Sequence, residues 1–470
     1  MTEAHPDDQD IIIIGATGDL ARRKLFPALY QLFVGREELP EGRIIGFARS
    51  KLEDEAFRAL ARTAVEASGE EVDDATWKEF AQRLIYVSGE DGGYQALARR
   101  AQQPCRLIYL ATPPSTFPAL VVALEENDLV RGTRILIEKP FGRDLDSARA
   151  LEATLDRFFD ERQIFRIDHY LGKETVQNIL VFRFGNSVFE RVWNRDAIEH
   201  VQITLAETIG IEGRSSFYEE TGAIRDVFQN HLFQVLSLLT MEPPASFDAE
   251  SLREERSKLF YAMKPVDPEH VVRGQYTHGE IDGRDVPGYR EEEGVNAESL
   301  TETFAAMKIS IDNWRWAGVP FYLRAGKRLP RRAVEIEISF REAPIRFFAS
   351  AGLAELPPNH LSLGIEPDES ITFVFLAKVP GAEIRVQPAR MEFAYGETFV
   401  GTTAQAYERL LWDAMAGDHT LFARADSVDR AWEILQPVLD ARLPLHFYQA
   451  GTWGPPEAGA IIAPRRWHLR

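Results

Sequence analysis

Ile11-Ile12-Ile13-Ile14-Gly15-Ala16-Thr17-Gly18-Asp19-Leu20-Ala21-Arg22-Arg23-Lys24 is the stretch that decides the fold. Four consecutive isoleucines suit a strand buried on both faces, the habit of a parallel sheet. A glycine turn then ends the strand and a helical run follows. Gly15 and Gly18 would let backbone N–H groups approach an anion at the helix N-terminus, where the peptide dipoles favour negative charge. The strand–turn–helix order suits the opening of a dinucleotide-binding unit, with Gly15 and Gly18 beside the pyrophosphate. The turn departs from G-x-G-x-x-G, so by itself it is a weak signal, with a plain strand-to-helix connection as the less favoured alternative. The surrounding pattern strengthens the dinucleotide reading.

Working outward, apolar runs alternate with helical spacing. Expected strands are Ile11–Ile14, Arg43–Phe47, Leu84–Val87, Leu107–Leu110 and Arg134–Ile137, with helices over Lys24–Leu39, Glu53–Ala67 and Phe117–Leu124. This predicts an α/β, Rossmann-like domain over residues 1–168. Gly46-Phe47-Ala48-Arg49-Ser50-Lys51 follows the second strand, where an NAD-specific domain usually carries an acid. Arg49 and Ser50 could instead hold the extra phosphate of NADP, or Arg49 could pair with Glu53 and Asp54. The reading favours NADP, with NAD also tolerated.

Beyond residue 168 the texture changes to a larger α+β domain, 169–470. Strands are expected at Val201–Leu205, Met307–Ile311, Ala333–Phe340, Ile371–Leu376 and Ala382–Val386. In Ala333–Phe340, apolar residues alternate with Glu335, Glu337 and Ser339, which predicts a mainly antiparallel sheet with one solvated face. Helices are expected at Tyr218–Leu239, Gln405–Met415 and Ser427–Leu439. The Pro-, Gly- and acid-rich stretch Pro265–Gly294 reads as a long surface excursion.

Composition narrows the function. The 470 residues are 45% hydrophobic and 27% charged, ordinary for a globular protein of two domains. A net charge of −19 argues against nucleic acid or anionic membrane as partner, so anionic ligands would depend on local cations. No apolar run reaches the ~20 residues of a membrane span, and the polar start Met1–Asp10 carries no signal core. The single Cys105 and the scattered histidines suit a reducing cytoplasm and no metal site.

Three further stretches carry chemistry. Ile135-Leu-Ile-Glu138-Lys139-Pro140-Phe141-Gly142 ends a buried strand in a charged pair, at the edge where such sheets bind ligands, although a surface Glu–Lys pair would look the same. Arg166-Ile-Asp168-His169-Tyr170-Leu-Gly-Lys173-Glu174 gathers a carboxylate, an imidazole, a phenol and an ammonium around one glycine. Those cations suit a phosphate ester, and the carboxylate suits a His partner. In Ile224-Arg-Asp226-Val227-Phe-Gln-Asn230-His231-Leu-Phe-Gln234-Val235, helical spacing lines up Val227, His231 and Val235. A histidine on an apolar stripe is commonly a core residue. The polar Asp226, Asn230 and Gln234 beside it fit a shielded general base instead.

Together with Arg324-Ala-Gly-Lys327 and Tyr448-Gln-Ala-Gly-Thr-Trp-Gly-Pro455, these motifs resemble the glucose-6-phosphate dehydrogenase family over nearly the whole chain. The resemblance implies that His231 takes the proton of the anomeric hydroxyl while a hydride passes to the nicotinamide of NADP. It implies Asp168 as the orienting carboxylate. His169, Tyr170 and Lys173 would hold the sugar phosphate, Glu207 and Asp226 the sugar hydroxyls, and Lys327 with Arg332 the far side of the pocket. Lys139 would touch both substrate and cofactor, and the glycine-turn residues Gly15, Ala16, Thr17, Gly18, Asp19 and Leu20, with Arg49 and Tyr109, would make the other cofactor contacts; the role of Lys24 stays open. A homodimer or homotetramer is implied as well. Two rivals share parts of the pattern: an oxidoreductase for another sugar, which would lack the phosphate cluster, and a non-catalytic cofactor sensor, which would lack Asp168 or His231. Both features are present.

Overall fold

The computed structural model describes residues 6–35, 39–90, 93–345, 347–348, 357–398 and 405–469. Two compact units result: one comprises Met1–Glu174, Pro244–Ser257 and Thr403–Asp429, the other Thr175–Pro243, Lys258–Thr402 and Arg430–Arg470. Two late segments thus join the first unit, a return that no local pattern in the sequence announces.

The first unit is built on six parallel strands: β1 (Gln9–Ile14), β2 (Ile44–Ala48), β3 (Leu84–Ser88), β4 (Cys105–Leu110), β5 (Thr133–Glu138) and β6 (Ile164–Ile167). Their order, β3-β2-β1-β4-β5-β6, is the doubly wound arrangement. Ile11 to Ile14 are all buried, as a strand packed on both faces requires. β6 was not expected from the sequence because Arg166 interrupts its apolar run. The structure buries that guanidinium completely, with Glu152 at 2.5 Å and Glu161 at 2.8 Å. Two carboxylates compensate the desolvated charge. The predicted helix Lys24–Leu39 is a π-helical turn, Ala21–Leu25, followed by an α-helix to Gly35; residues 36–38 lie outside the described residues.

The second unit carries β7 (Ile198–Ala206), β8 (Val271–Thr277), β9 (Gly279–Ile281), β10 (Arg284–Val286), β11 (Phe304–Ser310), β12 (Pro320–Gly326), β13 (Ala333–Phe340), β14 (His360–Glu366), β15 (Ser370–Lys378), β16 (Val386–Ala394) and β17 (Leu445–Gln449). Nine of these form one sheet in the order β16-β15-β14-β13-β7-β12-β11-β8-β17, while β9 and β10 make a hairpin. Only β12 with β7 and β17 with β8 pair in parallel, so the sheet is mainly antiparallel, as expected.

Three expectations are corrected. Pro265–Gly294 is not a surface excursion: it contains β8, and Val271, Val272, Tyr276 and Tyr289 are buried in the core. Its polar composition concealed the strand because Gln275 and Arg273 bond to the 299–302 segment instead of facing water. The solvated face of β13 is also absent: Glu335, Glu337 and Ser339 are buried. They lie opposite Thr204, Gln202 and His200 of β7, and Gln202 in turn bonds the backbone of Arg466 and His468, so the C-terminal segment lies over this polar face. Finally, residues 382–385 are not strand; β16 starts at Val386.

Candidate active site

In the first unit, parallel strands bring the ends of β1, β2, β4, β5 and β6 to one edge of the sheet, and the turns that follow them hold the predicted residues. Gly15 has φ +94°, and a Cβ there would stand 2.4 Å from the carbonyl oxygen of Ala111. Only glycine fits so close to the backbone that leaves β4. The turn is pinned by Gly15 N–H and Ala16 N–H donating to Phe47 O (2.8 and 3.3 Å) and Gly18 N–H donating to Gly15 O (2.9 Å). Ala16 is buried, Thr17, Gly18 and Leu20 are half-buried, and Asp19 is exposed and paired with Arg23. Lys24 is exposed on the helix that follows.

Arg49 and Ser50 are exposed after β2. The carboxylate of Asp54 is already engaged by the Tyr86 backbone N–H (2.7 Å) and by Arg100 (3.4 Å). Asp54, one of the two acids that could have paired with Arg49, is thus engaged by other partners.

The Asp168–Lys173 run leaves β6 as a compact turn. Leu171, Gly172 and Lys173 N–H groups donate to the carbonyls three residues back, at 3.0, 3.2 and 3.1 Å, and Tyr170 N–H donates to Asp168 Oδ1 at 3.0 Å. The Asp168 carboxylate is buried and thereby orders its own turn, the local bonding at which Asp excels. Buried Arg256 faces it; burial and neighbouring Arg253 push that guanidinium down to about 10, with Asp168 opposing. Lys173 Nζ lies 4.0 Å from the centroid of the Tyr170 ring, which meets the His169 ring edge-on at 5.0 Å. Cation and rings therefore form one cluster.

Beside it, β5 ends in Glu138 and half-buried Lys139. Glu138 Oε1 accepts from Tyr109 Oη at 2.5 Å and from Tyr407 Oη at 3.0 Å. Burial raises the Glu138 pKa, against the phenols and Lys139, which lower it. Tyr109, expected at the cofactor, is fully buried and commits its hydroxyl to this carboxylate. Tyr407 and Arg256 gave no signal in the sequence, since both arrive from segments that return to the first unit late in the chain.

In the second unit, the parallel strands β7 and β12 end side by side at Glu207 and Lys327. Lys327 Nζ donates to Glu207 Oε2 at 2.7 Å and lies 5.4 Å from the Tyr218 ring. Its side chain is 2% exposed, and its backbone is fixed by Tyr448 Oη donating to Lys327 O at 2.7 Å. Burial raises the Tyr218 pKa, helped by the charges of Asp226 and Glu207. Arg332 is exposed and paired with Glu366 at 2.6 Å.

His231 is buried and sits in a π-helical stretch, Ile224–Leu232, entered through Gly222 at φ +60° and continued by an α-helix, Phe233–Thr240. The expected single helix over Tyr218–Leu239 is therefore three pieces, and the four-residue line through His231 loosens where the winding widens. Asn230 Oδ1 accepts from the His231 backbone N–H at 2.6 Å. Gln229, Asn230 and Gln234 are buried with it, an unusually polar lining for a helix interior.

The comparisons with known proteins agree with this geometry. Residues 12–178 match the family model "Glucose-6-phosphate dehydrogenase, NAD binding domain" and residues 180–468 match "Glucose-6-phosphate dehydrogenase, C-terminal domain". The chain is 44% identical to the glucose-6-phosphate 1-dehydrogenase of Aggregatibacter actinomycetemcomitans, over 96% of this chain and 95% of the relative. It is similar to a crystal structure of the Mycobacterium avium enzyme (TM-score 0.89, 41% identity, 99% of each chain). It is also similar to a solved glucose-6-phosphate dehydrogenase in complex with its substrate glucose-6-phosphate (TM-score 0.90, 38% identity, 100% of each chain). The chain belongs to the glucose-6-phosphate dehydrogenase family.

Proposed function

We propose that this protein oxidises glucose 6-phosphate at its anomeric carbon to the 6-phosphogluconolactone, with NADP as the preferred acceptor. The observation that carries the reading is the Asp168–Lys173 turn. It sets an imidazole, a phenol and an ammonium together at the ligand-binding edge of a dinucleotide sheet, which suits a sugar phosphate and nothing apolar.

The glycine turn fits a dinucleotide. Gly15 lets the turn fold tightly against the Ala111 carbonyl at the end of β4, and a helix N-terminus follows. Residues 15–20 would hold the pyrophosphate, and Arg49 with Ser50 the additional phosphate of NADP. When bound, the nicotinamide supplies the hydride acceptor.

The residues of the chain do the rest. His169, Tyr170 and Lys173 bind the dianionic phosphate, and that remote binding energy fixes the anomeric carbon. Glu207 and Asp226 accept from sugar hydroxyls, and Lys327 positions Glu207 while closing one wall, with Arg332 beyond it. Lys139 contacts sugar and cofactor. His231 takes the anomeric hydroxyl proton, which relieves the positive character that develops on that oxygen as the hydride leaves. Asp168 orients the imidazole and stabilises its cation. An absorbance assay of nicotinamide reduction with glucose 6-phosphate tests the reading, run with NADP and with NAD. Reduction of neither would refute it.

We further place the protein in the cytoplasm as a homodimer or homotetramer. Its only cysteine is free, and among the described residues no helix is long and apolar enough to cross a membrane. The outermost strand β16 leaves Met391 57% exposed. A monomer in sedimentation velocity at micromolar concentration would exclude the assembly.

A further inference from the structure

Tyr407 belongs to none of the motifs above, yet it touches two of them. It opens the helix Ala406–Ala416, which lies more than 200 residues beyond either motif in the chain. Its hydroxyl donates to Glu138 Oε1 at 3.0 Å, and its ring lies nearly parallel to the His169 imidazole, at 12° and 6.4 Å between centroids. The residue before it closes the contact: a Cβ on Gly172 would fall 2.7 Å from the Ala406 carbonyl oxygen, so the Asp168–Lys173 turn rests directly on the start of this helix.

Glu138 is the other end of the link. Tyr109 pairs with Leu136 in the β4–β5 register, so Glu138, two residues on, projects to the same face and meets the Tyr109 hydroxyl. One carboxylate oxygen thus receives two phenol donors, one from within the sheet and one from the returning helix. The next residue is Lys139, and the residue before His169 is Asp168.

We infer that Tyr407 is a positioning residue, which through Glu138 fixes the strand end presenting Lys139 and through His169 fixes the turn presenting the phosphate-binding cations. The two segments leave the neighbouring strands β5 and β6, whose register pairs Glu138 with Ile167, and Tyr407 joins them again beyond the point where that ladder ends. The inference rests on the proposed reaction, since its value lies in aligning Lys139 with the sugar-phosphate cluster. Small misplacements of that kind are costly in a reaction that depends on alignment. Glu138 is faced by Tyr109, Tyr407, Lys139 and Asp168. The phenols favour its ionised form, whereas burial and Asp168 oppose it. Loss of one phenol therefore moves its protonation to higher pH.

The test is a double-mutant cycle on the full chain between Tyr407→Phe, which keeps the ring and deletes the donor, and Glu138→Gln. Tyr407→Phe is expected to lower kcat/KM for glucose 6-phosphate by roughly tenfold, as for a hydrogen bond to a charged group. It should also shift the acid limb of the pH profile upward and leave the melting temperature within a few degrees. In the Glu138→Gln background the same change should cost less than about twofold, because the shared partner is already altered. Equal losses in both backgrounds, or an unshifted acid limb, would overturn the inference. Should Tyr407→Phe fail to fold, Tyr109→Phe reads the same carboxylate in the same cycle. A wild-type protein inert toward glucose 6-phosphate would refute the proposed reaction instead; the cycle would then be read on NADPH binding by fluorescence, where an uncoupled pair again counts against Tyr407.

Discussion

Single side chains in this protein owe their roles to what already occupies their neighbours. Lys173 rests on the Tyr170 ring and thus keeps its charge available at a fixed place, 4.0 Å above an aromatic face. Lys173→Ala should weaken kcat/KM for glucose 6-phosphate by roughly 10²-fold while changing free glucose little, because only the ester carries the charge it meets. Equal losses on the two sugars, measured side by side, would remove it from phosphate binding. Arg49 is exposed beside an Asp54 that is spoken for by Arg100 and Tyr86. Arg49→Ala should therefore cut the NADP-over-NAD ratio of specificity constants about tenfold or more, as for one charge-assisted pair; an unchanged ratio contradicts the assignment. Such residues are nominated by chemistry written locally, in a turn or at a strand end. Tyr407 and Arg256 are not, since nothing within a few residues of either says that it returns to Glu138 or Asp168.

At the scale of elements, the sequence was clearest where periodicity and burial agree. The run Ile11–Ile14 and its glycine turn led to a doubly wound sheet, and five of its six strands could be placed. β6 escaped because Arg166 breaks the apolar pattern, a charge tolerated only through two carboxylates that come from outside the strand. β13 misled in the opposite direction. Its alternation of Glu and Ile states correctly which residues share a face, but periodicity cannot tell a solvated face from one covered by polar neighbours. Burial there has a consequence: it pushes the Glu337 carboxyl up to about 7, with Glu335 adding to the effect and the Ser362 hydroxyl opposing it. A carboxyl with a raised folded-state pKa holds its proton longer in the native protein than in the unfolded chain. Its contribution is full below the unfolded value near 4.5 and is lost as pH rises toward 7. Glu337→Gln should thus leave stability nearly unchanged at pH 5 and raise it by about 2–3 kcal/mol at pH 8.5, the size of such a shift. Urea midpoints at the two pH values check this, and an equal effect at both would show that titration is not the cause.

For the molecule as a whole, a net charge of −19 has to be reconciled with two anionic ligands. On the proposed reading, Arg49, Lys139 and Lys173 in the first unit and Lys327 in the second supply the cations that meet them, so capture would be local and not steered by the overall field. The base proposed for the reaction, His231, lies in the second unit on a π-helical stretch whose buried polar residues are atypical of a core. The motif nominated the residue, while the change of helical winding around it was invisible in the sequence because α- and π-spacings differ too little over nine residues. The most direct test of the account is the turnover of His231→Asn with glucose 6-phosphate and NADP, alongside calorimetric binding of the sugar phosphate. The account predicts a fall in kcat of about 10²–10⁴-fold with binding retained, the loss expected for a general base. Turnover within a few-fold of the wild type would contradict it.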